Sequence, residues 1–272
     1  MRPGPSVVKA PIPARVTMLG TGTSHGVPMI GCHCATCRST DVRDRRLRPS
    51  IYIDVPERAQ ILVDTATDLR QQVLAHDITH VDAVLFTHAH ADHILGLDDL
   101  RSFNRLQGGA IPCYANEETW TQIRRQFSYI FEGPLQPGGG VPQISENAVR
   151  STFFVRGVKI VPVPLWHGKL PILGFRLGNF AYLTDCNNIP DVSLGLIEGV
   201  DILVLDALRD EPHDTHFTLG EAVAIAQQVA PQQTYFTHMT HDLPHAKTNA
   251  RLPEGVELAY DGLVFDIEVE IA

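Results

Sequence analysis

The chain has 272 residues, 44% of them hydrophobic, enough for one large α/β core without a second domain. A formal charge of -9 excludes a broad basic surface that would hold nucleic acid by charge alone, so nucleic acid is not an expected partner. No apolar run approaches the roughly 18 to 20 residues of a membrane span, and the first residues (MRPGPSVVKAPIPA) lack a signal-peptide core, so the expected setting is cytoplasmic.

In chain order, residues 1–14 carry four prolines and read as a flexible arm, and residues 15–272 as one domain. The first strand is expected at 15–19, followed by a glycine turn from Gly20 to Ser24 and a cysteine loop from Cys32 to Cys37. Short apolar runs predict strands at 50–55, 61–64, 83–87, 111–114, 152–155, 159–164, 174–177, 181–184, 202–206, 234–237 and 263–270. Helical spacing appears at 67–76, 94–104, 117–129, 192–198 and 219–229, so strands and helices interleave as sheets covered by helices. The stretch 131–149, rich in Gly and Pro, reads as a loop or lid behind Phe127, Tyr129 and Phe131. Those aromatics fit either a cover over a substrate ring or plain core packing. Arg43, Arg45, Arg46 and Arg48 fit a solvated face better than a phosphate site.

The expected strand 83–87 runs into His88, His90, Asp92 and His93, four metal-ligand side chains within six residues. At a strand end, positions i and i+2 turn toward one metal, while i+4 and i+5 at a helix start reach a second. A pair about 3.5 to 4 Å apart would hold a hydroxide at neutral pH and clamp both attacking and leaving oxygens of a phosphoester. Cys32, Cys34 and Cys37 have zinc-ligand spacing but leave a tetrahedral site one ligand short, and five cysteines in all make a poor disulfide framework. His33 competes for the fourth place. Gly22-Thr23-Ser24-His25-Gly26 also fits the serine-hydrolase elbow, but Pro28 and Gly31 follow where that motif needs a helix.

H-x-H-x-D-H after a buried strand resembles the signature of the metallo-β-lactamase superfamily, which implies an αββα sandwich with the site at one edge. The resemblance implies Asp64 as an orienting group, His88, His90 and His167 on one metal, Asp92, His93 and His238 on the other, and Asp185 bridging. Cys186, one residue later, is the competing bridge. The glycine turn, Gly26-Val27-Pro28 and the cysteine loop narrow the likeness to the phosphoribosyl cyclic phosphodiesterases of the carbon–phosphorus lyase pathway. That subgroup implies a structural zinc on Cys32, Cys34, Cys37 and His241. It also implies His216 as a catalytic residue that binds no metal; Asp92 is expected to serve catalysis as well as metal, and His213 reads as surface.

The function expected is metal-dependent hydrolysis of a small cyclic or nucleotide-like phosphodiester, with two divalent ions (Zn or Mn) and one structural Zn. The rivals are an oxidation step in cofactor synthesis, as in the PQQ synthesis protein B likeness, a tRNA 3′-end endonuclease, and a zinc-stabilised binding module. The likeness to PQQ synthesis protein B implies an incomplete two-metal set, which the full set here disfavours. A homodimer stays open.

Overall fold

Alternation of buried and exposed side chains builds the first sheet. In the computed structural model, which describes residues 10–132 and 140–272, β1 (Ile12–Gly20) buries Ala14, Val16 and Met18 on one face. There follow β2 (Ser50–Val55), β3 (Ala59–Val63), β4 (Ala83–Leu85), β5 (Ile111–Ala115) and β6 (Ile144–Ala148). The second half supplies β7 (Phe153–Val155), β8 (Val158–His167), β9 (Leu170–Leu177), β10 (Phe180–Leu183), β11 (Ile202–Asp206), β12 (Gln233–Thr237) and β13 (Val256–Leu258). The last strand, β14 (Val264–Val269), crosses back to pair with β1. Two seven-stranded sheets result, ordered β14-β1-β2-β3-β4-β5-β6 and β13-β12-β11-β10-β9-β8-β7.

Three apolar layers hold the sheets. Between them, Val16, Ile51, Ile53 and Ile61 of the first face Phe175, Phe180, Tyr182 and Val204 of the second. Each such buried side chain contributes roughly 1.5 to 3 kcal/mol. Outside the first sheet lie α1 (Leu69–Ala75), α2 (Ala91–Ile94), α3 (Leu100–Gln107), α4 (Glu117–Gln126) and α5 (Ser128–Phe131). Leu69, Phe103, Trp120 and Ile123 of this set pack on Leu62, Val84 and Phe86. With the second sheet come α6 (Asp191–Leu196), α7 (Leu219–Val229) and α8 (His245–Asn249). Leu219, Ala222 and Ala226 of α7 cover Leu203, Leu205 and Phe236. This helix–sheet–sheet–helix order is the expected αββα sandwich.

Several expectations need correction. Residues 12–14, read as arm, open β1: Pro13 pairs with Glu268 of β14 at a point where β2 has not yet joined, so its missing N–H faces no partner. The loop expected at 131–149 contains β6, an edge strand whose polar sequence ISENA hides the usual apolar alternation. Residues 133–139 of that stretch lie outside the described residues. The helix expected at 94–104 is broken by a 3-10 turn at Leu95–Asp99. There Gly96 passes so close to the Ala66 carbonyl that a Cβ would come within 2.2 Å of it. The short elements β13 and α8 carried too few residues to show a period.

Parallel pairing fixes where the chemistry gathers. β3, β4, β5 and β6 run parallel, as do β10, β11, β12 and β13, so the ends of several strands open onto one edge of the sandwich.

Candidate active site

Six of the strands ending at this edge deliver a functional side chain. Asp64 follows β3, His88 follows β4, His167 ends β8, Asp185 follows β10, Asp206 ends β11 and His238 follows β12. Asp64, Asp185 and His238 have left-handed backbones, with φ of 62°, 61° and 62°. A non-glycine residue holds that conformation at a cost, and such positions cluster where a side chain must be aimed. Here the sharp bend turns the side chain from the strand direction into the site.

The first sheet brings His88, His90, Asp92 and His93; the second brings the rest. Donor atoms of His88, His90, His167 and Asp185 lie within 4.8 Å of one another, and so do those of Asp92, His93, Asp185 and His238. Asp185 belongs to both groups: its Oδ2 is 2.9 Å from His88 Nε2 and 3.1 Å from His93 Nε2. Asp64 is fully buried behind them. Its carboxylate accepts from the Thr87 N–H at 2.8 Å and lies 2.7 Å from His93 Nδ1, which turns His93 Nε2 inward. His167 Nδ1 meets the Thr215 carbonyl at 2.9 Å, which leaves its Nε2 for the centre.

Burial pushes the His88 and His167 imidazoles down to about 4, and His90 and His216 in the same direction. Neutral rings with exposed lone pairs are what a divalent ion requires. Asp92 and Asp185 are held ionised against burial, whereas burial pushes the Asp206 carboxyl well up. Burial works to raise Asp92, yet His93 and His238 hold it well below the usual carboxylate range. Burial likewise opposes ionisation of Asp185, and His238 and His88 overcome it. Among the described residues, His88 Nε2, His93 Nε2, both ring nitrogens of His238 and Asp185 Oδ1 are buried and make no well-aligned hydrogen bond, although Asp185 lies close to His88 and His93. An unpartnered buried polar atom costs about 1 to 3 kcal/mol. Five such atoms in one pocket fit a site that divalent cations complete.

The cysteine loop forms a separate cluster. His241 Nδ1 lies 3.2 Å from Cys32 Sγ, 3.5 Å from Cys34 Sγ and 3.3 Å from Cys37 Sγ. His33 is exposed and outside this group. The Cys37 backbone N–H holds the Cys34 thiol down to about 7, favouring its thiolate. Arg46, read as part of a solvated run, is 1% exposed and binds the loop carrying His241 from below. Its guanidinium donates to the carbonyls of Thr240 at 2.6 Å and Leu243 at 2.5 Å. Arg43 pairs with Asp41 and Arg48 with Asp68, so neither points a free charge at the site.

Other candidates resolve as follows. Ser24 sits on an exposed turn with no helix behind it, so the elbow geometry is absent. Cys186 is fully buried in the core beneath α7, with its thiol raised by burial, and does not reach the cluster. Phe127, Tyr129 and Phe131 pack with the α4 layer, and Tyr129 donates to Asp98 at 2.7 Å. Sequence reasoning missed Asp206, which ends a strand with no motif around it. It is fully buried and receives His216 Nδ1 at 3.2 Å, the Asp185 N–H at 3.2 Å and the Phe217 N–H at 3.0 Å. His216 is 3.1 Å from Asp185 Oδ1 and stacks on His238 at 4.8 Å.

Residues 59–239 match the family model of the beta-lactamase superfamily domain. Among solved structures, a diphosphatase of the PhnP family superposes with a TM-score of 0.90 at 46% identity, over 96% of this chain and 100% of that one. The chain is 36% identical to an octanoyltransferase of Porphyromonas gingivalis over 92% of its own length, and spans about half (51%) of that relative. It is 32% identical to the coenzyme PQQ synthesis protein B of Methylorubrum extorquens, over 93% of this chain and 99% of that protein. Fold, strand-end donors and family match agree: the chain belongs to the metallo-β-lactamase superfamily of hydrolases, and within it resembles the PhnP family.

Proposed function

We propose that the chain is a dinuclear-metal phosphodiesterase acting on a small cyclic or nucleotide-like phosphodiester. One observation carries this reading: a single buried carboxylate, Asp185, lies against donor sets from both sheets. His88, His90 and His167 would hold one ion; Asp92, His93 and His238 the other; Asp185 would bridge. Bound there, two divalent ions supply Lewis-acid stabilisation of phosphoryl oxygens and lower the pKa of a bound water. The chain does the rest. Asp64 and the Thr215 carbonyl fix the tautomers of His93 and His167. Asp206 receives His216 Nδ1 and leaves Nε2 as the uncommitted ring nitrogen. With both ring nitrogens protonated, His216 would pass the Nε2 proton to the leaving oxygen and return to its neutral form, Nδ1 staying on Asp206.

A second reading, hydrolysis of a diphosphate bond, draws support from the likeness to the PhnP-family diphosphatase. The complete donor set disfavours the oxidation seen as a rival, and the charge of -9 disfavours a tRNA substrate. The test is turnover of bis-p-nitrophenyl phosphate, abolished by chelator and restored by Zn or Mn, with Ser24→Ala as active as the parent chain. Chelator-resistant turnover lost in Ser24→Ala would overturn the reading.

A further inference from the structure

Seven imidazoles form one connected array at the site. His88 meets His90 at 4.5 Å, His90 meets His167 at 5.0 Å, His167 meets His216 at 4.7 Å, and His216 meets His213 at 5.0 Å. His238 stacks on His216 at 4.8 Å, and His93 lies 4.2 Å from His88. Five members are buried, while His90, between His88 and His167, and His213, at one end of the chain of contacts, are exposed. His90 belongs to a metal-ligand group; His213 belongs to none.

His213 is nonetheless held in place. Its Nδ1 accepts from the Thr215 N–H at 3.4 Å, so the neutral ring carries its proton on Nε2. Arg209 donates to the carbonyls of Glu211 and Pro212, both at 3.3 Å, and Asn187 donates to the Asp214 carbonyl at 2.8 Å. The loop is thus tied on either side of the histidine. Among the described residues, no hydrogen bond or ion pair engages Nε2. The result is a fixed, exposed donor one ring outward from His216, 5.0 Å from it.

We infer that His213 is a substrate-contacting residue whose Nε2–H donates to an anionic oxygen one group beyond the reacting phosphorus, so that it reads a second phosphoryl group. This rests on the reading of the site as a phosphoryl hydrolase. A diphosphate diester presents such an oxygen on its leaving phosphate; bis-p-nitrophenyl phosphate presents an aryl ring there instead. His213 would therefore favour diphosphates over simple diesters.

The experiment compares His213→Ala and His213→Gln with the parent chain, all metal-reconstituted. For ADP-ribose, His213→Ala should raise KM about ten-fold, as loss of a hydrogen bond to a charged group does, with kcat falling far less. For bis-p-nitrophenyl phosphate the KM change should be several times smaller. His213→Gln, which keeps a donor, should recover part of the loss. Calorimetric binding gives a readout apart from turnover. Adenosine 5′-(α,β-methylene)diphosphate should lose about ten-fold in affinity on His213→Ala, and adenosine 5′-monophosphate much less. Equal KM changes on both substrates, or unchanged analogue binding, would overturn the inference while leaving the hydrolase reading intact. A parent chain that turns over neither substrate would overturn both.

Discussion

His216 and His238 stack at 4.8 Å, yet their substitutions should fail in different ways. His216 is held by Asp206 and assigned to a proton; His238 is assigned to a metal. Loss of a positioned acid costs about 10² to 10⁴ in rate, scaling with the leaving oxygen's need for a proton. His216→Ala should keep its metal content and lose far more activity on an alkyl ester or cyclic sugar phosphate than on a nitrophenyl diester. His238→Ala should depress both substrates together with metal occupancy. Metal loss in His216→Ala would instead make it a ligand, a role its proximity to Asp185, Asp206 and His238 also permits. At this scale the sequence was readable where ligands are contiguous, as from His88 to His93. It was opaque at Asp206, a single polar residue whose meaning comes from a partner in space, while His213, read as surface, is exposed. Asp185 and His238 lie between these extremes, since only their order along the chain, matched to a family pattern, marked them.

The loop Cys32–Cys37 and the turn after β12 form one element only if something joins them. His241 faces all three thiols, and Arg46 clamps the carbonyls of Thr240 and Leu243 on either side of it. Elemental analysis should find about three metals per chain, one of them zinc in this closed tetrahedral set. Cys34→Ser should remove that zinc and lower Tm, because metal binding to a closed site is coupled to folding. Activity should then fall through instability, with the other two metals retained in the cold. An unchanged zinc content would sink the assignment. Elements with a strong period, such as α7 and β11, matched their expected ranges, and those whose burial is one-sided or brief did not. The edge strand β6 is the clearest case: with one neighbour and mostly half-buried or exposed side chains, it has no pattern to read.

For the whole molecule, one pH-dependent contribution to stability comes from Asp261. It is half-buried beneath the glycine turn, where it accepts from Thr21 Oγ1 at 2.7 Å and from the Leu47 N–H at 2.6 Å. Burial pushes its carboxyl up to about 7 from an ordinary 3.8. Between roughly pH 4 and 7 the folded chain keeps this proton and the unfolded chain releases it. The contribution of this carboxyl to stability should therefore fall as pH rises through that window, by up to about 1.4 kcal/mol per pH unit, and level off above it, opposite in sign to that of His88 and His167, which burial keeps neutral. Asp261→Asn stays neutral throughout, so its Tm relative to the parent chain should climb from pH 5 to 7. A constant difference would mean that Asp261 is already ionised in the folded state.

The donors of the proposed centre come from both sheets, with Asp185 of the second against His88 and His93 of the first. Two ions seated there would act as a rivet through the sandwich, tightening only when the halves are in register. Neither half alone would offer a full set, so the centre forms late and its affinity reports on the docking of layers far from it. Phe175→Ala, in the middle of the inter-sheet core, would loosen that docking by about 3 to 5 kcal/mol. Its Tm should then recover as free Zn or Mn is raised, by about 1.4 kcal/mol of stability per ten-fold excess over the dissociation constant. The parent chain, chelated, should drift toward the same loosened behaviour. A lesion in the core would thus be mended from the rim, by metal supply.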